Sequence, residues 1–92
     1  MEKNITKQKI HKYRKITEKA LGIAKISVEK GKEREAEEII EMVENYLSDS
    51  QHFEKKQDFV NAFAAINYSH GWLDSGARLK IFNVENSKLF TV

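Results

Sequence analysis

Three histidines, fourteen carboxylates and no cysteine define the side-chain chemistry available to this chain of 92 residues. The lack of Cys removes disulfides, Cys-based zinc sites, iron–sulfur ligation and thiol nucleophiles together. Asp49 and His52 stand at i, i+3, and His70 and Asp74 at i, i+4, spacings that put a carboxylate and an imidazole on one helix face. A di-metal site in a helix bundle needs four carboxylates and two His converging at one level. Here His52 and His70 fall roughly 13 Å apart along the bundle, and His11 points outward, so no metal and no cofactor is expected. Gly-rich phosphate loops and Ser nucleophile elbows are missing too. No residue is assigned a catalytic role, and the chain reads as non-enzymatic.

Two polar constellations remain. Asn67, Gly71, Asp74 and Arg78 follow one helix face, with His70 beside them and level with Glu18 and Glu44. An Arg held by an Asp next to a Gly-sized slot presents a guanidinium fork to a phosphate or carboxylate ligand. Gly22, level with Asp74, would form the other wall. His70 beside a carboxylate has the makings of a general base. Each has a plain alternative: an Asp74–Arg78 ion pair within the helix, a buried Asn67 amide that fixes register, and a structural His70 at a helix seam.

The second constellation is Lys7, His11, Arg14, Lys15 and Lys25, which share the outer face of the first helix, interrupted by Glu18. Such a stripe suits a nucleic-acid backbone. Residues 1–32 hold ten basic and three acidic side chains, net +7, and residues 33–57 hold three and eight, net −5. Oppositely charged neighbours steer helix pairing, which explains much of the asymmetry without a ligand.

The elements that position these groups are helices. Four Gly and no Pro argue against a turn-rich β domain. Apolar residues recur at helical spacing over about residues 5–29, 33–55 and 58–82. Gly31 is expected to close the first helix, glutamates from Glu33 onward suit the start of the second, and Asp58 caps the third. Short connections between helices of matched length specify an all-α, antiparallel up-down-up three-helix bundle, one domain over residues 1–92. Residues 83–92 form a short tail that docks or frays. By loop lengths, levels on helices two and three sum to about 114. That sets Trp72 near Met42, and near Ala20 of the first helix, as core filling.

The third helix carries the anomaly. Between Phe59 and Ala77 it has no Lys, Arg or Glu, and the side that should meet water shows Val60, Ala64, Tyr68, Gly71 and Ser75. Such a helix is covered on more than two sides, by the tail, a protein partner or a second copy. Plain exposure of small residues is the bland alternative.

The segment Asp58-Phe59-Val60-Asn61-Ala62-Phe63-Ala64-Ala65-Ile66-Asn67-Tyr68-Ser69-His70-Gly71-Trp72-Leu73-Asp74-Ser75-Gly76-Ala77-Arg78-Leu79 resembles the signature helix of a family of short archaeal proteins catalogued as a domain of unknown function. The resemblance extends to Tyr46-Leu47, Phe53-Glu54-Lys55 and Leu89-Phe90-Thr91-Val92. It implies a three-helix bundle in an archaeal cytoplasm and brings no activity with it. The family usually has a Gly between helices two and three, where this chain has Lys56-Gln57.

The charged start, Met1-Glu2-Lys3-Asn4, has no apolar stretch behind it, and no run approaches the roughly 18 apolar residues of a membrane span. The chain is therefore expected in the cytoplasm, off the membrane, as an interaction or scaffold module acting through its third helix. The nucleic-acid stripe and the Asn67/Asp74/Arg78 groove are the alternatives.

Overall fold

The computed structural model describes residues 4–92; Met1, Glu2 and Lys3, most of the charged start, lie outside the described residues. Three helices follow in order: α1 Lys7–Lys25, α2 Glu33–Lys55 and α3 Phe59–Arg78. They form the expected all-α three-helix bundle, with no strand among the described residues. α3 packs against both other helices, which meet each other least.

Each helix start has a local cause. The Thr6 hydroxyl accepts from the Lys9 amide at 3.1 Å and opens α1. Lys32 offers α2 no side-chain cap; instead the Glu33 carboxylate accepts from the Gly31 amide at 3.0 Å, and Glu33 and Glu35 meet the positive end of the helix dipole. Asp58 caps α3 as expected, accepting from the Asn61 amide at 3.2 Å.

Two helix ends differ from expectation. α1 stops at Lys25 and α3 at Arg78, each four residues before the bounds that periodicity suggested, 29 and 82. The cause lies far off in sequence, because residues 27–29 and 81–83 pair with each other. Val28 and Phe82 form an isolated antiparallel bridge. The Glu29 amide donates to the Ile81 carbonyl at 2.9 Å and the Asn83 amide to the Ser27 carbonyl at 2.6 Å. At the end of α3 the amides of Ile81 and Phe82 reach back to the Gly76 carbonyl, with Lys80 left-handed at φ 60°. Gly31, at φ 91°, shapes the turn into α2 and does not cap α1.

The core has two apolar clusters. The larger joins Ala20, Leu21 and Ala24 with Ile39, Val43, Leu73, Ala77, Phe82 and Phe90. The smaller holds Ile10, Ala62 and Ile66. Between them in sequence, on every helix, lie buried polar groups: Arg14 and Thr17, Ser50, and Ser69. Every buried side-chain polar atom among the described residues has a partner, so this layer does not carry the cost of an orphaned donor or acceptor.

Candidate interaction face on the third helix

The polar line on α3 does not assemble as one site. His70 Nε2 lies 2.7 Å from the Leu89 carbonyl, which only a donor satisfies, so Nε2 carries a hydrogen; Nδ1 lies 3.0 Å from the Thr17 hydroxyl, from which it accepts in the neutral ring. Asp74 Oδ1 accepts from the Thr91 amide at 2.9 Å and stands 3.8 Å from His70 Nε2. Together they hold the tail, whose Phe90 is buried. Glu18 and Glu44 are not partners of His70; Glu44 pairs with Lys25 at 2.8 Å.

Arg78 departs from the expected ion pair. It is exposed and forms none with Asp74 among the described residues, because the Asp74 carboxylate is turned to the tail. Asn67 is exposed, not a buried register amide. Gly22 is exposed with open space around its Cα, so it forms no second wall for Asp74. A pocket of about 330 Å³ does gather Asn67, His70, Gly71 and Asp74 with Tyr13 and Lys88, but Arg78 is not part of it. The anion-binding fork is therefore not built.

The basic stripe on α1 needs a correction at Arg14. Arg14 is 8% exposed and points inward, with Nε and Nη2 on the Ser50 hydroxyl at 3.3 and 3.1 Å and Nη1 on Glu54 at 2.6 Å. His11 Nε2 is 2.8 Å from the other Glu54 oxygen. Burial acts to raise the Glu54 pKa, but the hydrogen bonds and charges of Arg14 and His11 outweigh it and hold the carboxyl below its ordinary range. With Lys25 on Glu44, three of the five stripe residues serve the α1–α2 seam, and Lys7 and Lys15 stay exposed.

The remaining face of α3 is the uncovered one. Val60, Tyr68 and Leu79 are each more than 60% exposed, and Ala64, Gly71 and Ser75 lie between them. The Tyr68 ring stacks on Tyr46 of α2 at 5.5 Å. Trp72 belongs to this face and not to the core, since Ser69, Leu73 and Gly76 occupy the inward positions around it. It does stand beside Met42, as its level required. Ala64, Asn67, Tyr68, Gly71, Trp72 and Ser75 line a shallow, open groove of about 660 Å³. The tail docks on the His70 and Asp74 side and leaves this groove open.

A family model described as a protein of unknown function, DUF357, matches residues 12–82. The chain belongs to that family. No curated protein and no solved structure matches it. In this DUF357 chain the matched span covers the Arg14 layer, the open face of α3 and the Val28–Phe82 bridge, and stops short of the tail residues that His70 and Asp74 hold. Among the described residues no group of three or more His, Asp or Glu is placed to hold a metal. Among the described residues no helix is long and apolar enough to cross a membrane.

Proposed function

We propose that this DUF357 chain is a non-enzymatic interaction module of the cytoplasm that binds protein through the outer face of α3. One observation carries the reading: the strip from Val60 to Leu79 exposes large apolar side chains, has no Lys, Arg or Glu before Arg78, and lies clear of the chain's own tail. Monomeric soluble proteins rarely leave contiguous apolar patches beyond a few hundred Å² uncovered. The non-enzymatic part is supported by the engagement of the titratable groups. His70 and Asp74 hold the tail, and Arg14, His11 and Glu54 hold α1 to α2.

Affinity capture with the tagged chain tests this. The expected result is a captured protein, untagged copies of the chain included, that is lost with Tyr68→Lys and kept with Lys15→Glu. Capture that Tyr68→Lys leaves unchanged overturns the reading. So does oligonucleotide binding that weakens steeply with salt and is lost with Lys15→Glu, since that moves the function to α1.

A further inference from the structure

The open face of α3 is lopsided, and its two halves fit each other. On the α2 side stand the large rings, Tyr68 stacked on Tyr46 and Trp72 beside Met42. On the α1 side Ala64, Asn67 and Gly71 leave a slot, and a Cβ added to Gly71 would meet nothing within 4 Å. At ~100° per residue Ala64 and Ser75 run along the midline between ridge and slot. A ridge beside a slot on one helix is self-complementary under a two-fold axis parallel to that helix, because the rotation sets each ridge against the other copy's slot at the same height. Tyr68 is level with the middle of the slot it would enter.

Charge points to the same pairing. The ridge is bordered by Glu35, Glu38 and Glu41 of α2. The slot is bordered by Arg78, exposed and without an ion pair among the described residues, and by Lys88 of the tail; Asp74 stands on the same border with its carboxylate turned to the Thr91 amide, so two cations face one anion there. The parallel two-fold sets the acidic border of one copy against the basic border of the other, with Arg78 at the height of Glu35 and Glu38. An antiparallel pair would set the two α2 borders side by side. Val60, Tyr68, Trp72 and Leu79 expose on the order of 400 Å² per copy. Covered in both copies, with the small residues between, this approaches the roughly 1,000 Å² at which specific association begins.

We propose that two copies of this chain pair in parallel through α3, about a two-fold axis passing Ala64 and Ser75, the Tyr68–Trp72 ridge of each lying in the Ala64–Asn67–Gly71 slot of the other. This rests on the reading of the face as an interaction surface and names its occupant.

The chain has no cysteine, so an introduced one reports without background. Ser75→Cys alone, and Ala64→Cys alone, should each link to a copy of itself under mild oxidation. In light scattering the unaltered chain should pass from dimer to monomer on dilution. Gly71→Leu should stay monomeric with an undiminished helical spectrum, since its side chain has open space in the single chain. Arg78→Glu should weaken pairing by about tenfold and Glu38→Arg in the same chain should restore it. The pair is overturned if the chain is monomeric throughout, or if Ser75→Cys links to Ala64→Cys and not to itself, which is the antiparallel arrangement. Should the pair fail while Tyr68→Lys still loses a captured protein, the face remains an interaction surface with another occupant; if nothing captured depends on Tyr68, both readings fail.

Discussion

Phe82 lies directly on Gly76: a methyl group added to Gly76 would sit 2.5 Å from the ring's Cε2 and 3.1 Å from Ile39 Cδ1. The close approach is what lets residues 81–83 leave α3 and pair with residues 27–29, and it buries Phe82 to 1% exposure. Gly76→Ala should cost about 1–3 kcal/mol by pushing the ring off the helix. Gly22→Ala, inside α1 and away from the open face of α3, is the matched control. It meets nothing, and should raise stability by about 0.5–1 kcal/mol through helix propensity alone. Denaturant midpoints for the two variants should move in opposite directions; a shift of the same sign would refute the packing account.

Glu54 ties stability to pH. Its folded pKa is held low by Arg14 and His11, so the unfolded chain takes up that proton more readily. The resulting stabilisation is complete above the unfolded carboxyl pKa and is lost as pH falls through the folded one. Glu54→Gln keeps the shape and removes the charge. It should cost about 1–3 kcal/mol at neutral pH, and the difference from the unaltered chain should shrink toward acid. A pH-independent difference in unfolding free energy would show that charge is not what matters there.

Two turn residues pay a backbone cost that glycine would relieve. Gln57 and Lys80 both sit at φ 60°, one between α2 and α3 and one after α3. Gln57 stands in the connection between α2 and α3 in a left-handed conformation that Gly adopts without the steric cost a side chain brings. Relief of the left-handed conformation, about 1–2 kcal/mol, exceeds the roughly 0.4–1 kcal/mol of unfolded-chain entropy that Gly adds, so Gln57→Gly and Lys80→Gly should each stabilise by a net of about 0.5–1 kcal/mol. Thermal melts check this, and a lower Tm in both would exclude strain at these positions.

The bundle was legible because its signals are local. α2 has the bounds the sequence indicated, since Glu33 and Glu35 begin it where the dipole wants carboxylates. Tyr46 meets Tyr68 at the level the short connection requires. The early ends of α1 and α3 were not legible, because the pairing of Ser27 with Asn83 joins residues 56 apart and nothing nearby announces it. Gly76, small on an inward-facing position six residues before Phe82, was the one available sign. Arg14 looked like an outer-face cation by periodicity alone. Its inward turn depends on Ser50 and Glu54, four apart on α2, which form a polar notch in an otherwise apolar face. Trp72 was drawn toward the core by its size, whereas the inward positions went to Ser69, Leu73 and Gly76, which fit between the helices.

His70 joins three segments through one ring, receiving the Thr17 hydroxyl of α1 and donating to Leu89 of the tail. His70→Ala removes both links and leaves the buried Thr17 hydroxyl without its partner, at a cost of about 1–3 kcal/mol. The tail's own anchor is Phe90, so Phe90→Ala should cost about 3 kcal/mol or more. Hydrogen exchange separates docking of the tail from closure of the bridge. The Thr91 amide is held by Asp74, and the Asn83 amide by the Ser27 carbonyl. With His70→Ala, Thr91 should exchange faster while Asn83 keeps its protection, because the bridge depends on Phe82 over Gly76 and not on the tail. Loss of protection at both sites together would mean that the tail and the Val28–Phe82 bridge open as one unit, and that His70 secures the end of the bundle as well as its last four residues.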